Sequence, residues 1–141
     1  PRAVSTFLNA RPAGTQDLWQ ARLYLLKPLI RLTLAALWLA SGLLGLTSPA
    51  ASFTPGLPLT EPLAITLARA FGALDLALGL ALLRNWRPGP VALTQIALVL
   101  AYTAGLTLLA PALWLDPYGS LLKNLPVLAL MLVHLALVEE R

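Results

Sequence analysis

The chain has 141 residues, 58% of them hydrophobic and only 11% charged, with a mean hydropathy of +0.77. A soluble domain carries about 25% charged residues, and a small domain cannot hide this much apolar surface from water, so the composition excludes an ordinary water-soluble fold. No cysteine and one histidine, His134, exclude disulfides, thiolate clusters, bis-histidine haem ligation and a three-histidine metal site made by this chain alone. The net charge of +4 reads as membrane topology rather than nucleic-acid binding, because the basic residues sit at the ends of apolar runs.

Residues 1–27 read as a cytoplasmic linker and an interfacial helix, and residues 28–141 as the membrane domain. No cleavable signal-peptide pattern is visible at the start. Thr15 reads as a helix cap with Asp17 in the first turn. Trp19, Leu23, Leu26 and Ile30 then recur at helical spacing opposite Gln20, Lys27 and Arg31, an amphipathic pattern suited to the headgroup layer. The residue before a proline avoids helical angles, so a bend is expected at Lys27–Pro28, where the chain enters the bilayer.

Four apolar stretches follow, at about 29–46, 63–83, 91–109 and 121–138. Each approaches the 17–25 residues a helix needs to cross about 30 Å of hydrocarbon. The Leu/Ala-rich runs lack the alternation of a membrane β-barrel. The expected fold is therefore all-α: a four-helix transmembrane bundle with an N-terminal interfacial amphipathic helix. Pro28, Pro62 and Pro90 fall at first-turn positions, where a missing N–H costs nothing. Pro126 falls inside the fourth stretch and is expected to free a carbonyl near Leu122 and kink that helix.

Counting Lys and Arg gives an orientation. Arg2, Arg11, Arg22, Lys27, Arg31, Arg84, Arg87 and Arg141 fall on one side and only Lys123 on the other. The rule that basic loops stay inside puts both termini and the Arg84–Arg87 connection in the cytoplasm, as in a multi-pass protein of a bacterial inner membrane.

Charges inside a bilayer cost about 2.5–3.5 kcal/mol each on insertion scales and demand a reason. The second span holds two. From its Pro62 end, Arg69 lies about 11 Å and Asp75 about 20 Å deep at about 1.5 Å per residue. Gly72, Asp75 and Gly79 share one face, as small residues do where helices approach closely. One reading is a tight helix contact with Asp75 hydrogen-bonded across it and Arg69 reaching outward. The other is a polar pocket in the outer half of the bundle, built from Arg69, Asp75, Tyr102, Asp116, Lys123 and Asn124. Such a pocket would suit an anionic or quinone-like head group. His134 reads as a hydrogen-bonded packing residue with Gln95 as its partner, and Trp38 as core. Trp86 and Trp114 read as interfacial belt residues. Gly42 and Gly45 have helix-packing spacing, and no phosphate loop, nucleophile–base arrangement or metal cluster appears.

Three stretches resemble the DoxX-like family of small four-helix membrane proteins. They are Ala21-Arg22-Leu23-Tyr24-Leu25-Leu26-Lys27-Pro28 running into Leu37-Trp38-Leu39-Ala40-Ser41-Gly42, then Leu74-Asp75-Leu76-Ala77-Leu78-Gly79, and then Leu113-Trp114-Leu115-Asp116-Pro117-Tyr118-Gly119 followed by Leu122-Lys123-Asn124-Leu125-Pro126. The third is the most specific. The resemblance implies a membrane module partnering or fused to an NAD(P)-binding, short-chain-dehydrogenase-like or epimerase-like domain, with the start of this chain as the linker. More distant relatives imply quinone-linked oxidoreductases, and so a quinone as ligand. The module would not be catalytic on its own. The competing reading is a small-solute or proton transporter, a homo-oligomer with Asp75 as carrier and Arg69 as its counter-ion.

Overall fold

The structure, a computed structural model, describes residues 14–49, 52 and 58–138. The residues before Gly14, most of the first connection and the tail with Arg141 lie outside the described residues. Among the described residues four α-helices follow one another: α1 (Thr15–Thr47), α2 (Glu61–Leu83), α3 (Pro88–Leu109) and α4 (Asn124–Leu137), with a 3-10 turn over Pro111–Trp114 between the last two. The helices α1, α2 and α3 are long and apolar enough to cross a membrane, and α4 is a shorter apolar helix.

The bundle closes as a ring. Each helix packs on its neighbours in the chain, and α4 returns to α1; the diagonal pairs do not meet among the described residues. The most extensive contact is α1 on α2. Glycines set its distance: a Cβ on Gly42 would stand 2.7 Å from the Gly72 carbonyl oxygen, and one on Gly45 2.9 Å from the Gly72 Cα. Where lipid is as apolar as leucine, close backbone approach of this kind is what joins helices. The core is Leu34, Ala35 and Trp38 of α1, Leu78 and Leu82 of α2, Val91 and Val99 of α3, and Met131 of α4. The outer surface is apolar: Leu25 is 73% and Leu108 85% exposed. A soluble monomer does not present apolar surface on this scale.

The helix ends show what the local rules could and could not foresee. The expected departure from helical angles at Lys27 is not made: α1 runs unbroken through Pro28. The proline leaves the Tyr24 carbonyl without its helical donor. Tyr24 is exposed, so that carbonyl can bond to water or head groups instead. The cap falls on Gly14 rather than Thr15, and Asp17 accepts the Gly14 N–H at 2.8 Å.

Pro126 does not kink a helix. The helix α4 begins at Asn124, later than expected, which puts Pro126 in the first turn, where no N–H is needed. The Leu122 carbonyl, expected to be freed, accepts the Leu125 N–H at 3.2 Å. Pro62 and Pro90 do sit in the first turns of α2 and α3.

The α2–α3 connection is a Schellman-type stop. Asn85 takes a left-handed conformation (φ 52), a region asparagine tolerates. The Trp86 N–H reaches back to the Ala81 carbonyl and the Asn85 N–H to that of Leu82. Arg87 is also left-handed (φ 41), and α3 starts at the next residue. Its guanidinium lies 5.7 Å from the Trp86 ring.

Candidate functional site in the α1–α2–α3 cleft

Asp75 is the centre of the candidate site. It lies on the glycine face of α2 and is only 4% exposed. The Ser41 hydroxyl of α1 donates to one carboxylate oxygen at 2.7 Å, and the Tyr102 hydroxyl of α3 donates to the other at 3.3 Å. Three helices thus converge on one carboxyl group. Close α1–α2 packing at Gly42 brings Ser41, one residue earlier, within reach. Phe71, one turn before Asp75, meets the Tyr102 ring edge-on, with centroids 5.1 Å apart at 87°, and this holds the phenol in place.

Arg69 is engaged elsewhere. Its guanidinium donates to the carbonyls of Gly45 at 2.9 Å and Ser48 at 3.0 Å, at the C-terminal end of α1. Those carbonyls lack helical donors, and the end of a helix carries partial negative charge. The arginine therefore caps α1 from the neighbouring helix. The sequence offers no sign of this, because the acceptors are backbone atoms.

Asn124 belongs to a separate lacing that ties α3 to the 3-10 turn and the start of α4. The Asn124 amide donates to Thr103 Oγ1 at 2.8 Å, and the Trp114 indole to Thr107 Oγ1 at 3.0 Å. Each threonine hydroxyl also donates back along α3, Thr103 to Val99 and Thr107 to Thr103. One hydroxyl can do both, so the two threonines are satisfied in an apolar setting. Trp114, expected as a belt residue, is half-buried and tied into this lacing, whereas Trp86 is exposed.

Asp116 lies on the α3–α4 connection, where it accepts the Ser120 hydroxyl. That bond, helped by backbone N–H groups and the Lys123 charge, holds its carboxyl below the usual carboxylate range. Lys123 is exposed and lines an open groove with Pro117, Tyr118, Gly119, Leu122 and Pro126.

Of the six candidates, Asp75 and Tyr102 touch. Ser41 is the partner that sequence reasoning left out of the set. Asp75 is hydrogen-bonded across the helix contact, as the packing reading expects. The expected Gln95–His134 bond is not made: both amide atoms of Gln95 and Nε2 of His134 lack a hydrogen-bond partner.

The family model described as "DoxX-like family" matches residues 35–132, which takes in the C-terminal part of α1, all of α2 and α3 and most of α4. No curated protein and no solved structure matches the chain. With well over half its length matched, the chain belongs to the DoxX-like family.

Proposed function

We propose that this bundle is a membrane module that anchors and serves an NAD(P)-dependent or quinone-linked oxidoreductase. In this reading Ser41, Asp75 and Tyr102 receive a quinone or lipid head group from the bilayer. The supporting observation is the exposure pattern of the trio. Asp75 is buried, yet its donor Ser41 is exposed and Tyr102 half-buried on the flank of the bundle. A lipid-soluble ligand reaches such a group sideways, without crossing the core. Its carbonyl or hydroxyl oxygens can take over the two hydroxyl donors, while Phe71 and Tyr102 give an aromatic wall. The Arg69, Lys123, Asp116 and Asn124 side chains then frame the same half of the bundle rather than touch the head group.

The test is purification in mild detergent, followed by extraction and mass spectrometry of bound small molecules and of co-purifying proteins. Bound quinone, or a co-purifying dehydrogenase, is expected with the native chain. Asp75→Asn with Tyr102→Phe is expected to lower retained quinone by about tenfold, because Tyr102→Phe removes one of the two hydroxyl donors to the head group. Equal retention by the variant, or a clean preparation with neither companion, overturns the reading.

The same proposal puts the Arg84–Arg87 connection and the N-terminal part of α1 on the cytoplasmic side, where a partner enzyme would dock. The cysteine-free chain makes this directly testable. A single cysteine at Trp86 is expected to resist a membrane-impermeant maleimide applied to cells, and one at Tyr118 to react. The reverse pattern inverts the topology.

A further inference from the structure

A second polar cluster lies in the other half of the bundle, toward the Arg84–Arg87 end. Gln95 is fully buried, Trp38 is 2% and His134 6% exposed. Five of the cluster's side-chain atoms are buried without a hydrogen-bond partner: Arg31 Nε, Trp38 Nε1, both amide atoms of Gln95, and His134 Nε2. They lie on three helices, α1, α3 and α4, that share one core. Arg31 and Trp38 flank Leu34 at spacings of three and four, Gln95 lies four residues from both Val91 and Val99, and His134 three from Met131. All four of those apolar residues belong to the core. Gln95 stands seven residues nearer this end than Tyr102, about 10 Å at about 1.5 Å per residue, whereas Trp38 lies one turn from Ser41 and adjoins the Asp75 site.

Orphaned polar groups in a bundle core cost free energy, and each specific one calls for an explanation. Here the chemistry is lopsided. The arginine N–H, the indole N–H and the glutamine NH₂ are donors, and only the glutamine oxygen is a pure acceptor. The one formal charge of the four at neutral pH, with the histidine neutral, is positive. The bundle core is otherwise apolar, with Leu34, Leu82 and Met131 among its residues.

The geometry points to a second binding site, formed by Arg31, Trp38, Gln95 and His134, for an anionic oxygen group, a carboxylate, carried on an apolar body. The carboxylate accepts the donors and offsets the Arg31 charge, and the apolar body lies along the leucine and valine side chains. This inference does not depend on the Asp75 reading.

His134 is the only histidine, so ring-nitrogen-labelled protein in lipid nanodiscs gives one set of imidazole signals. Two probes are titrated: oleate in the bilayer and acetate in the buffer. A saturable shift of the His134 signals with oleate alone identifies a ligand drawn from the membrane. A shift with acetate as well identifies a carboxylate that also enters from water. Arg31→Gln and, separately, Gln95→Leu are expected to weaken the response by about tenfold or more. Gln95→Leu removes two orphaned polar atoms, so the fold should hold; its thermal midpoint checks this. If neither probe moves the native signals, or if both variants respond like the native chain, the site is overturned and buried water satisfies these atoms.

Discussion

Gly42→Ala is expected to destabilise the bundle by about 1–3 kcal/mol, and Gly42→Leu by more, because both force atoms into a contact with no slack. The added Cβ of alanine would meet the Gly72 carbonyl oxygen and the Leu76 backbone nitrogen, each at 2.7 Å. Those are main-chain atoms of the facing helix and cannot rotate away, so α1 and α2 must move apart. Separation would also pull the Ser41 hydroxyl, one residue earlier, off Asp75. Gly105→Ala is the matched control. It adds the same methyl to α3, where nothing lies within 4 Å, and glycine inside a helix costs about 0.5–1 kcal/mol relative to alanine. That variant is expected to match or slightly exceed the native stability. Thermal unfolding in detergent, followed by the size-exclusion profile, separates the two. A Gly42→Ala protein as stable as the native one would mean that α1 and α2 do not pack at this distance.

These contrasts show which features the amino-acid pattern carries by itself. The apolar runs and their terminal prolines place α2 and α3 within a few residues, because a membrane helix must satisfy its own backbone over a fixed thickness. Gly42, Gly72 and Gly79 are legible as a packing face for a similar reason. The local rule that proline breaks helices sets the expectation at Pro28 and Pro126. The rule yielded at Pro28, where the released Tyr24 carbonyl lies on an exposed turn. At Pro126 the helix begins later than hydropathy indicates, and the residues before it form the preceding turn instead.

The site was partly legible. Asp75 stands out because a carboxylate in an apolar run needs partners. Which partners it finds was not visible. Ser41 lies 34 positions away in sequence and is one of several small polar residues in the helices. Equal depth suggested a bond between Gln95 and His134, yet depth fixes only one coordinate. The angle around each helix and the packing between them decide whether two groups touch.

Removing Arg69 separates the two roles it could have. In the structure it donates to two carbonyls at the end of α1. Arg69→Leu is therefore expected to cost about 1–3 kcal/mol, the penalty of stripping charged donors from two part-buried acceptors, and Arg69→Lys less, because a single ammonium replaces part of the guanidinium fork. A transporter in which Arg69 is the counter-ion of Asp75 expects something different. There, loss of the arginine leaves an uncompensated buried carboxylate, and neutralising Asp75 as well should restore much of the stability. The cycle of Arg69→Leu, Asp75→Asn and the double variant decides between them. The capping geometry predicts additive losses, within about 0.5 kcal/mol. A rescue of more than about 1 kcal/mol in the double variant would show that the two charges depend on each other, and would move the weight from a docked head group toward a charge-carrying bundle. Additivity instead assigns Arg69 to holding α1 on α2 and leaves Asp75, with Ser41 and Tyr102, as the group available to a ligand.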